Sequence, residues 1–418
     1  MSGPVAMPDP DGVVLPRLLA RNAAEDASAP FASFEDGSAW TRGESLDRAR
    51  RAAGRLAEAG VARGDRVLLM AGNGPAWLAS WWGITTLGAV VVPVNAAYRG
   101  EMLRSLVARS EARLAVVDPA LAERFAEIGS GDLVRLGPAD LLDAPAGVAA
   151  PPDAGLDVHD IHAVMWTSGT TGPSKGSFTS YLQLYMTGKW FGEDVGLGPD
   201  DVWLLDLPLF HQAAQAACVA ALAARAQVAV RSAPAMGDYW GTARQTGATI
   251  ALGVSTMAAY LLAQPASPAD RDHRLRVMAM APLPPEPKAF VHRFGLEGMI
   301  TAYGSTEVSA ATVIPLGGEL RPGTCGRPRP GVEIRLVDEH DIPVAPGAMG
   351  EMVIRTDRPW ELSSGYLGDA EATAAAWRNG WFHTGDLFVA DDDGDDRFCD
   401  RTKDALRRRG ENVSSFEV

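Results

Sequence analysis

Apolar residues recur along the first third of the chain with periods that switch between helix and strand. Residues 46–56 carry apolar side chains at helical spacing, and Gly60 follows where such a helix would end. The run at 66–70 predicts a buried strand. The order then repeats, with a helical pattern at 101–110 and a strand pattern at 113–117. Alternation of this kind predicts parallel α/β layers.

The segment 75–94 is uncharged, contains three tryptophans and is about as long as a membrane-spanning helix. Gly88 and Pro93 divide it, and the valines at 90–92 favour a strand. No basic cluster flanks the segment. A buried helix followed by a strand is therefore the preferred interpretation, with a membrane span as the alternative.

Changes in composition divide the chain further. A segment rich in Ala, Pro, Gly and Asp at 140–157 predicts a linker. Short apolar runs at 332–337 and 351–355, separated by Pro and Gly turns, predict strands. The predicted parts are a first α/β lobe at 1–157, a second α/β lobe at 158–315 and a β-rich subdomain at 316–403.

Overall composition narrows the class of protein. The chain of 418 residues is 47% apolar and 22% charged, which is normal for a soluble globular protein. Its 38 basic and 52 acidic residues give a net charge of −14, so nucleic acid is not an expected partner and an anionic cofactor needs local positive groups. The three widely spaced cysteines predict neither a disulfide framework nor a zinc site, and no secretory signal is recognisable, so a cytoplasmic location is expected.

The segment 165–176, Met-Trp-Thr-Ser-Gly-Thr-Thr-Gly-Pro-Ser-Lys-Gly, follows an apolar strand pattern and is rich in donors. Gly169 and Gly172 permit a tight loop, and Lys175 with the hydroxyls and free backbone N–H groups matches the oxygens of a polyphosphate. The Walker spacing is absent, and a Gly/Ser/Thr linker is the alternative. The hydroxyl donors are Thr167, Ser168, Thr170, Thr171 and Ser174.

Three further strings suggest nucleotide chemistry. In Ala-Tyr-Gly-Ser-Thr-Glu at 302–307, Glu307 suits a divalent cation held against phosphates, although such a string is also typical of a turn with a solvated carboxylate. In Gly-Trp-Phe-His-Thr-Gly-Asp at 380–386, Asp386 suits a ribose diol, with a capped hairpin turn as the alternative. The charged run at 400–412 is on its own typical of a solvated face.

These four segments together resemble, in order and spacing, the adenylate-forming acyl-CoA synthetases. The resemblance extends from about residue 40 to residue 418. Three strings make the carnitine or crotonobetaine CoA ligase-like branch the most similar: Leu-Pro-Leu-Phe-His-Gln at 207–212, Arg-Pro-Gly-Thr-Cys-Gly-Arg-Pro at 321–328 and Arg-Arg-Gly-Glu-Asn at 408–412.

The resemblance implies an α/β fold: a large N-terminal domain of two α/β lobes and a small distorted β-barrel, joined by a hinge to a small mobile C-terminal domain. It also implies a reaction in two steps. A carboxylate attacks the α-phosphate of Mg-ATP to give acyl-AMP and pyrophosphate, and the thiol of CoA then attacks the acyl-AMP. ATP or AMP, Mg²⁺ and CoA are the implied cofactors.

The resemblance assigns roles to residues at matching positions. Thr306, Glu307 and Lys175 are the implied catalytic residues, with Thr306 on the α-phosphate, Glu307 on the metal ion and Lys175 on the outer phosphates. Lys403 is the implied hinge. The other implied nucleotide-binding residues are Thr167, Ser168, Gly169, Thr170, Thr171, Gly172, Tyr303, Asp386 and Arg401, the last two on the ribose hydroxyls.

The implied acyl pocket is mostly small or apolar, so a bulky hydrophobic or cyclic acid fits as well as a betaine. His211 is implied to border the pocket, and a packed, hydrogen-bonded histidine is the alternative. Met280 stands where the family usually has a bare glycine-rich loop, so it either crowds the site or repacks harmlessly. The implied pocket residues are His211, Val254, Met257, Met280, Ala281, Ala302 and Gly304.

Two departures from the family pattern bear on function. Residues 404–418 are predicted to form the hinge and the start of the C-terminal domain, and the sequence ends at Val418. The rest of that domain, with its adenylation lysine, is therefore expected to be absent. Tyr181 replaces a usual histidine, with no predicted effect. Hence two alternatives to the ligase stay open: a homologue that adenylates poorly and mainly thioesterifies a preformed acyl-adenylate, and a noncatalytic acyl-adenylate or carboxylate sensor. CoA is favoured over a carrier protein as acceptor, and a homodimer is compatible with the large apolar lobes.

Overall fold

The computed structural model describes residues 6–129, 133–145, 155–167, 174–390, 394–401, 406–408 and 411–413, with the backbone alone described from residue 401 onward. The helices are α1 (Leu15–Glu25), α2 (Arg42–Glu58), α3 (Pro75–Thr86), α4 (Gly100–Ser110), α5 (Ala122–Glu127), α6 (Pro138–Leu142), α7 (Tyr181–Asp194), α8 (Gln212–Ala224), α9 (Tyr239–Thr246), α10 (Ser255–Ala263), α11 (Pro287–Phe294) and α12 (Ala370–Ala376). The strands are β1 (Pro30–Ser33), β2 (Ala39–Thr41), β3 (Arg66–Met70), β4 (Val90–Pro93), β5 (Leu114–Val117), β6 (Val134–Leu136), β7 (Ile161–Thr167), β8 (Lys175–Ser180), β9 (Val202–Leu205), β10 (Gln227–Val230), β11 (Ile250–Gly253), β12 (Val277–Met280), β13 (Gly298–Ser305), β14 (Ser309–Ile314), β15 (Arg327–Pro328), β16 (Val332–Val337), β17 (Gly350–Thr356), β18 (Phe382–Ala390), β19 (Asp396–Arg401), β20 (Leu406–Arg408) and β21 (Glu411–Val413).

The first sheet has six strands in the order β6-β5-β3-β4-β7-β8. Its strands are parallel from β6 to β7, and β8 runs antiparallel to β7. The predicted strands at 66–70 and 113–117 and the predicted helix at 101–110 are confirmed as β3, β5 and α4. Parallel strands separated by helices are the α/β layering that the alternating pattern predicted.

Helix α2 shows why its segment folds as the periodicity predicted. The Thr41 hydroxyl accepts a hydrogen bond from the Glu44 N–H at 3.2 Å, and the Glu44 carboxylate accepts one from the Thr41 N–H at 2.7 Å. This reciprocal cap satisfies two N–H groups that the first turn leaves unpaired. Ala49 and Leu56 are fully buried, and Gly60 has a φ of +84° just beyond the helix. Glycine adopts a positive φ at little cost because it has no Cβ, and this conformation turns the chain away at the end of the helix.

The uncharged segment at 75–94 forms a buried helix followed by a strand, as preferred from the sequence. Trp77, Trp81 and Trp82 lie on α3 with 1% or less of each side chain exposed. Gly88 has a φ of +76° and separates α3 from β4. Among the residues that the structure describes, no helix is both long and apolar enough to cross a membrane.

The second sheet has nine strands in the order β15-β14-β13-β12-β11-β9-β10-β1-β2. Its central strands are parallel, while β14, β15 and β2 add antiparallel edges. Alternate residues of β9 enter different apolar clusters, with Trp203 in the cluster that includes α8 and Leu204 in the cluster that includes α9 to α11. Helices on both faces explain why the strands are apolar on both sides.

Each of the first two sheets takes strands from both sides of residue 157, where the predicted lobes 1–157 and 158–315 meet, and the lobe boundary itself stays a prediction. Strands β7 and β8 follow residue 157 and yet complete the first sheet. Strands β1 and β2 precede residue 157 and yet form an edge of the second sheet. The boundary was drawn from composition, whereas sheet membership depends on pairing between distant segments, which local composition does not report.

A third sheet, with the antiparallel order β16-β17-β18-β19, forms the β-rich part of the chain. The predicted strands at 332–337 and 351–355 are confirmed as β16 and β17, the latter extended by one residue at each end. Met352, Ile354 and Phe388 are fully buried in its core. This core also contains Val308, which lies in the turn between β13 and β14, so the third sheet packs on that turn.

Candidate nucleotide site

The hairpin of β13 and β14 presents Thr306 and Glu307 in a tight turn. The register shifts between Tyr303 and Gly304, and a Cβ added to Gly304 would lie 1.7 Å from the carbonyl oxygen of Ser309. Glycine is therefore required there, because no side chain fits between the two strands. Ser309 closes the turn with a φ of +58°.

The Glu307 carboxylate is held at both of its oxygens. The Ser305 hydroxyl donates to Oε2 at 2.9 Å, and the Tyr366 hydroxyl donates to Oε1 at 3.0 Å. The side chain is buried at one edge of the turn, and Glu307 is 9% exposed. Each carboxylate oxygen keeps a further lone pair, so both hydroxyls orient the carboxylate without blocking it.

The donor set at Glu307 fits magnesium. In the part of the chain that the structure describes, no three His, Cys, Asp or Glu side chains cluster as a metal cage. Magnesium usually takes one or two carboxylates and completes its shell with water and substrate phosphates, so a single oriented carboxylate beside a phosphate loop is the expected arrangement. Glu307 is the residue that would hold the ion.

The backbone of the same turn is anchored from α7. The buried amide of Gln183 donates from Nε2 to the carbonyl of Thr306 at 2.8 Å and to that of Glu307 at 3.2 Å. Gln183 is positioned at the start of α7, where its N–H donates to the Ser180 hydroxyl that caps the helix. The amide thus fixes the two residues that the sequence assigned to the α-phosphate and the metal ion.

The predicted phosphate loop connects β7 to β8, and its two ends are described. The Thr167 hydroxyl donates to the carbonyl of Lys175 at 3.4 Å, and the Lys175 ammonium lies 4.9 Å from the centre of the Tyr366 ring. Arg109 of α4 donates to the Ser174 carbonyl at 2.6 Å. The predicted loop residues Ser168, Gly169, Thr170, Thr171 and Gly172 lie outside the described residues.

Asp386 lies at the other side of the hairpin. The Tyr303 hydroxyl donates to Asp386 Oδ2 at 2.6 Å, and the Asp386 N–H donates to the Thr384 hydroxyl at 3.1 Å. Burial and the neighbouring carboxylate raise the pKa of Tyr303 well above its ordinary value, so its hydroxyl keeps the proton it donates. Asp386 pairs in register with Arg401, of which the backbone alone is described; Lys403 lies outside the described residues.

Contacts connect those predicted site residues whose side chains the structure describes. Lys175 contacts the ring of Tyr366, whose hydroxyl contacts Glu307, and Tyr303 on the same hairpin contacts Asp386. The Lys175 ammonium and the Glu307 carboxylate both contact Tyr366. The Asp386 carboxylate, predicted to bind the ribose diol, contacts Tyr303 on the same hairpin as Glu307. That combination suits a nucleotide with a charged phosphate chain at one end and a ribose at the other.

Comparison with known proteins identifies the family of the chain. A profile described as AMP-binding enzyme matches residues 19–367. A crotonobetaine/carnitine–CoA ligase of Salmonella paratyphi A is 31% identical over 385 residues, covering 86% of this chain and 73% of the relative. The chain belongs to the AMP-binding enzyme family.

Solved structures confirm the fold of this AMP-binding enzyme. ATP-bound MatB from Rhodopseudomonas palustris is 28% identical, with a TM-score of 0.85 over 96% of this chain and 81% of MatB. A benzoate CoA ligase from Burkholderia xenovorans LB400 is 24% identical, with a TM-score of 0.86 over 96% of this chain and 82% of the ligase, and shows the common fold. The resemblance to adenylate-forming acyl-CoA synthetases, and the expected α/β fold of their large N-terminal domain, are confirmed.

The predicted acyl-pocket residues of this AMP-binding enzyme fall into two groups. Gly304, Ala281, Val254 and His211 are exposed, and Ala302 is half-buried. Met257 is 7% exposed and Met280 is 1% exposed. The first group is accessible to a substrate from solvent, whereas the two methionines belong to the apolar cluster that includes α9 to α11.

Met280 packs against the backbone of β11. It pairs with Gly253, and a Cβ added to Gly253 would lie 3.3 Å from the terminal carbon of Met280 and 3.7 Å from the sulfur of Met257. The flexible thioether chain fills space that the glycine leaves. Met280 therefore packs within the apolar cluster, and its effect on the acyl pocket stays a prediction.

His211 directly precedes α8, and its ring lies tilted against that of Phe210, with ring centres 4.4 Å apart. Its edge is exposed to solvent, while the protein around the rest of the ring lowers its pKa by desolvation. A neutral imidazole is therefore presented at physiological pH. This suits the border of an apolar pocket better than a cationic site.

Sequence reasoning missed Gln183, Tyr366 and Arg109, which support the site from three different parts of the chain. Tyr366 carried a signal, since it lies in Gly-Tyr-Leu-Gly at 365–368, an aromatic residue between glycines. Gln183 carried none that distinguishes it from other polar residues near a helix start. Their roles come from contacts between distant segments, which the sequence does not display.

Proposed function

We propose that this chain activates a carboxylic acid with Mg-ATP as an acyl-AMP and transfers the acyl group to CoA. The observation that carries the proposal is the path of contacts from Lys175 through Tyr366 to Glu307, continued on the same hairpin from Tyr303 to Asp386. Similarity to CoA ligases supports the choice of acceptor.

The first step makes a leaving group that a carboxylate lacks. One carboxylate oxygen of the acid forms a bond to the α-phosphorus of ATP, the bond from that phosphorus to the bridging oxygen breaks, and the electron pair leaves with pyrophosphate. Charge on the phosphates opposes this attack, so positioned donors and cations lower the barrier. Lys175 and the hydroxyls of the 167–175 loop serve this purpose for the outer phosphates, and Thr306 for the α-phosphate.

Glu307 would hold magnesium, which when bound neutralises phosphate charge and draws electron density from phosphorus. Asp386 would accept hydrogen bonds from the ribose hydroxyls and so fix the nucleotide along the cleft. Fixing both ends of the nucleotide would hold the α-phosphate near Thr306, ready for attack by the acid. Positioning of this kind reduces the entropy that the reaction must otherwise lose.

The second step exchanges the acyl oxygen for sulfur. The thiol sulfur of CoA forms a bond to the acyl carbon, the bond from that carbon to the phosphate oxygen breaks, AMP leaves with the electron pair, and the thiol proton passes to solvent.

Exchange of labelled pyrophosphate into ATP, measured with a panel of carboxylic acids, tests the first step directly. The proposal predicts exchange that needs both magnesium and one class of acid, followed by acyl-CoA formation when CoA is added. Thioester formation from a synthetic acyl-AMP without exchange would replace the proposal with the poorly adenylating homologue. Tight binding of acyl-AMP with neither reaction would replace it with the sensor.

A further inference from the structure

A short segment at 363–367, here called the bridging segment, lies along the start of β8. The Leu367 N–H donates to the carbonyl of Gly176 at 2.8 Å, and the Phe178 N–H donates to the carbonyl of Gly365 at 3.0 Å. Tyr366 forms a β-bridge with Ser177 between these two hydrogen bonds. The bridging segment is thus an additional strand beside the residues that directly follow Lys175.

The bridging segment also contacts the turn that presents Glu307. The Ser363 N–H donates to the Glu307 carbonyl at 2.8 Å, and the buried Ser363 hydroxyl accepts a hydrogen bond from the Ser177 hydroxyl at 2.8 Å. The phosphate-loop strand and the β13–β14 turn are therefore connected through a third piece of chain. No sequence motif pointed to this connection.

The Tyr366 side chain spans the two charges of the site. Its hydroxyl donates to Glu307 Oε1 at 3.0 Å, and its ring lies under the Lys175 ammonium at 4.9 Å. The ring face is electron-rich and attracts a cation, while the hydroxyl is a donor that attracts a carboxylate. One tyrosine can satisfy both groups because they lie at different parts of its ring.

The backbone of Tyr366 is fixed independently of those two charges. Its N–H donates to the Thr373 hydroxyl of α12 at 2.9 Å. Gly365 has a φ of +130°, and a Cβ there would lie 2.7 Å from a carbon of Thr373, so the approach of α12 depends on glycine. A fixed donor is what orients a metal-binding carboxylate well.

We infer that Tyr366 is a positioning residue with two separable roles: its hydroxyl orients Glu307 for magnesium, and its ring orients Lys175 for the outer phosphates. The inference rests on the proposed nucleotide site. Partners that orient a metal ligand typically change metal affinity by about 10- to 100-fold when removed. The hydroxyl therefore sets the magnesium dependence of nucleotide binding, and the ring sets the metal-free affinity for ATP.

Two variants of the whole chain separate the roles by calorimetric titration. ATP is titrated first in EDTA and then at increasing magnesium. Tyr366→Phe keeps the ring and removes the hydroxyl, so ATP affinity in EDTA stays at the wild-type level while the magnesium needed for half-maximal tightening rises about tenfold. Tyr366→Leu removes both groups, so affinity falls in EDTA as well. Tyr260→Phe removes a hydroxyl from an exposed tyrosine on α10 and serves as the matched control.

Each outcome has a distinct meaning. An unchanged magnesium dependence in Tyr366→Phe would overturn the role of the hydroxyl, and an unchanged affinity in EDTA for Tyr366→Leu would overturn the role of the ring. Equal losses of AMP, ATP and Mg-ATP binding in Tyr366→Phe, with a lowered Tm, would reduce Tyr366 to a structural residue. Failure of the wild-type chain to bind ATP at all would instead contradict the proposed function.

Discussion

The hydroxyl of Tyr303 donates to Oδ2 of Asp386 at 2.6 Å, which joins the β13–β14 hairpin to the third sheet. The two residues are far apart in sequence, and their contact fixes the Asp386 carboxylate relative to the hairpin that carries Glu307. The Tyr303 ring also packs edge-on against Phe388, with ring centres 4.7 Å apart. Tyr303 therefore fixes the Asp386 carboxylate relative to the Glu307 carboxylate.

Tyr303→Phe tests that alignment. A hydrogen bond to a charged group contributes about 1.5–3 kcal/mol, so loss of the hydroxyl is expected to weaken AMP binding about 10-fold or more. If Asp386 contacts the ribose hydroxyls, the wild-type preference for AMP over 2′-deoxy-AMP will also shrink. Calorimetric titration of both nucleotides provides the measurement. An unchanged preference would place the ribose elsewhere.

Glu307→Gln tests the assignment of the metal carboxylate. The amide keeps the size of the side chain but loses its charge, so magnesium-dependent tightening of ATP binding is expected to disappear while metal-free AMP binding persists. Acid-dependent pyrophosphate exchange should fall by about 100-fold, the scale of losing a charge stabiliser in the transition state. Glu319→Gln, at an exposed position, is the matched control. Retained magnesium dependence would assign the ion to another residue.

Gly304→Ala tests whether the hairpin geometry is needed. The added Cβ would meet the Ser309 carbonyl, so the turn must open and Thr306 and Glu307 must move with it. We expect a stability loss of about 1–3 kcal/mol, as for other overpacked sites, together with loss of Mg-ATP binding. Gly237→Ala adds a Cβ where no atom lies within 4 Å and is the control. Thermal unfolding and ATP titration give the answer, and normal binding by Gly304→Ala would show that the turn tolerates a side chain.

Asp206 predicts a pH dependence of stability. It follows β9, is 1% exposed, and neither carboxylate oxygen has a hydrogen-bond partner among the described residues. Burial raises the pKa of Asp206 to about 7, above its value in the unfolded chain. The folded state then binds more protons than the unfolded state between the two pKa values, so stability is highest below the unfolded pKa and falls as pH rises to about 7.

Asp206→Asn removes this dependence. As pH rises from about 4 to 7, the unfolding free energy of the wild-type chain should fall by about 3 kcal/mol relative to that of the variant. The wild-type Tm should fall with it. The buried Tyr239 hydroxyl, whose pKa is raised by its own burial and by Asp206, stays protonated across this range. Asp200→Asn, at an exposed position, is the control. Parallel Tm curves for wild type and Asp206→Asn would contradict a buried, uncharged carboxyl group.

Local elements of the fold were predictable from the sequence because they depend on neighbouring residues. The helix spacing at 46–56 and the valines at 90–92 each report a period or a propensity that acts within one segment. The position of β1 beside β10 was not predictable in this way, since neither strand contains a feature that names its partner. Composition likewise could not show that strands from both sides of residue 157 share a sheet.

The candidate site shows the same limit. Glu307 and Asp386 were predictable because each lies in a short string of distinctive residues. Gln183 and Tyr366 support Glu307 through hydrogen bonds that form only after three distant segments meet. A side chain whose role is to orient another side chain leaves little local pattern, and its role is visible only in the folded structure.

The pairing of Ala32 in β1 with Val228 in β10 has a consequence for biosynthesis. A ribosome delivers β1 and β2 long before β10 emerges, so the nascent amino-terminal hairpin has an open, hydrogen-bonding edge during much of translation. Aggregation during expression is therefore expected to begin at residues 30–41, and slower elongation or a co-translational chaperone that shields this hairpin should raise the yield of native protein.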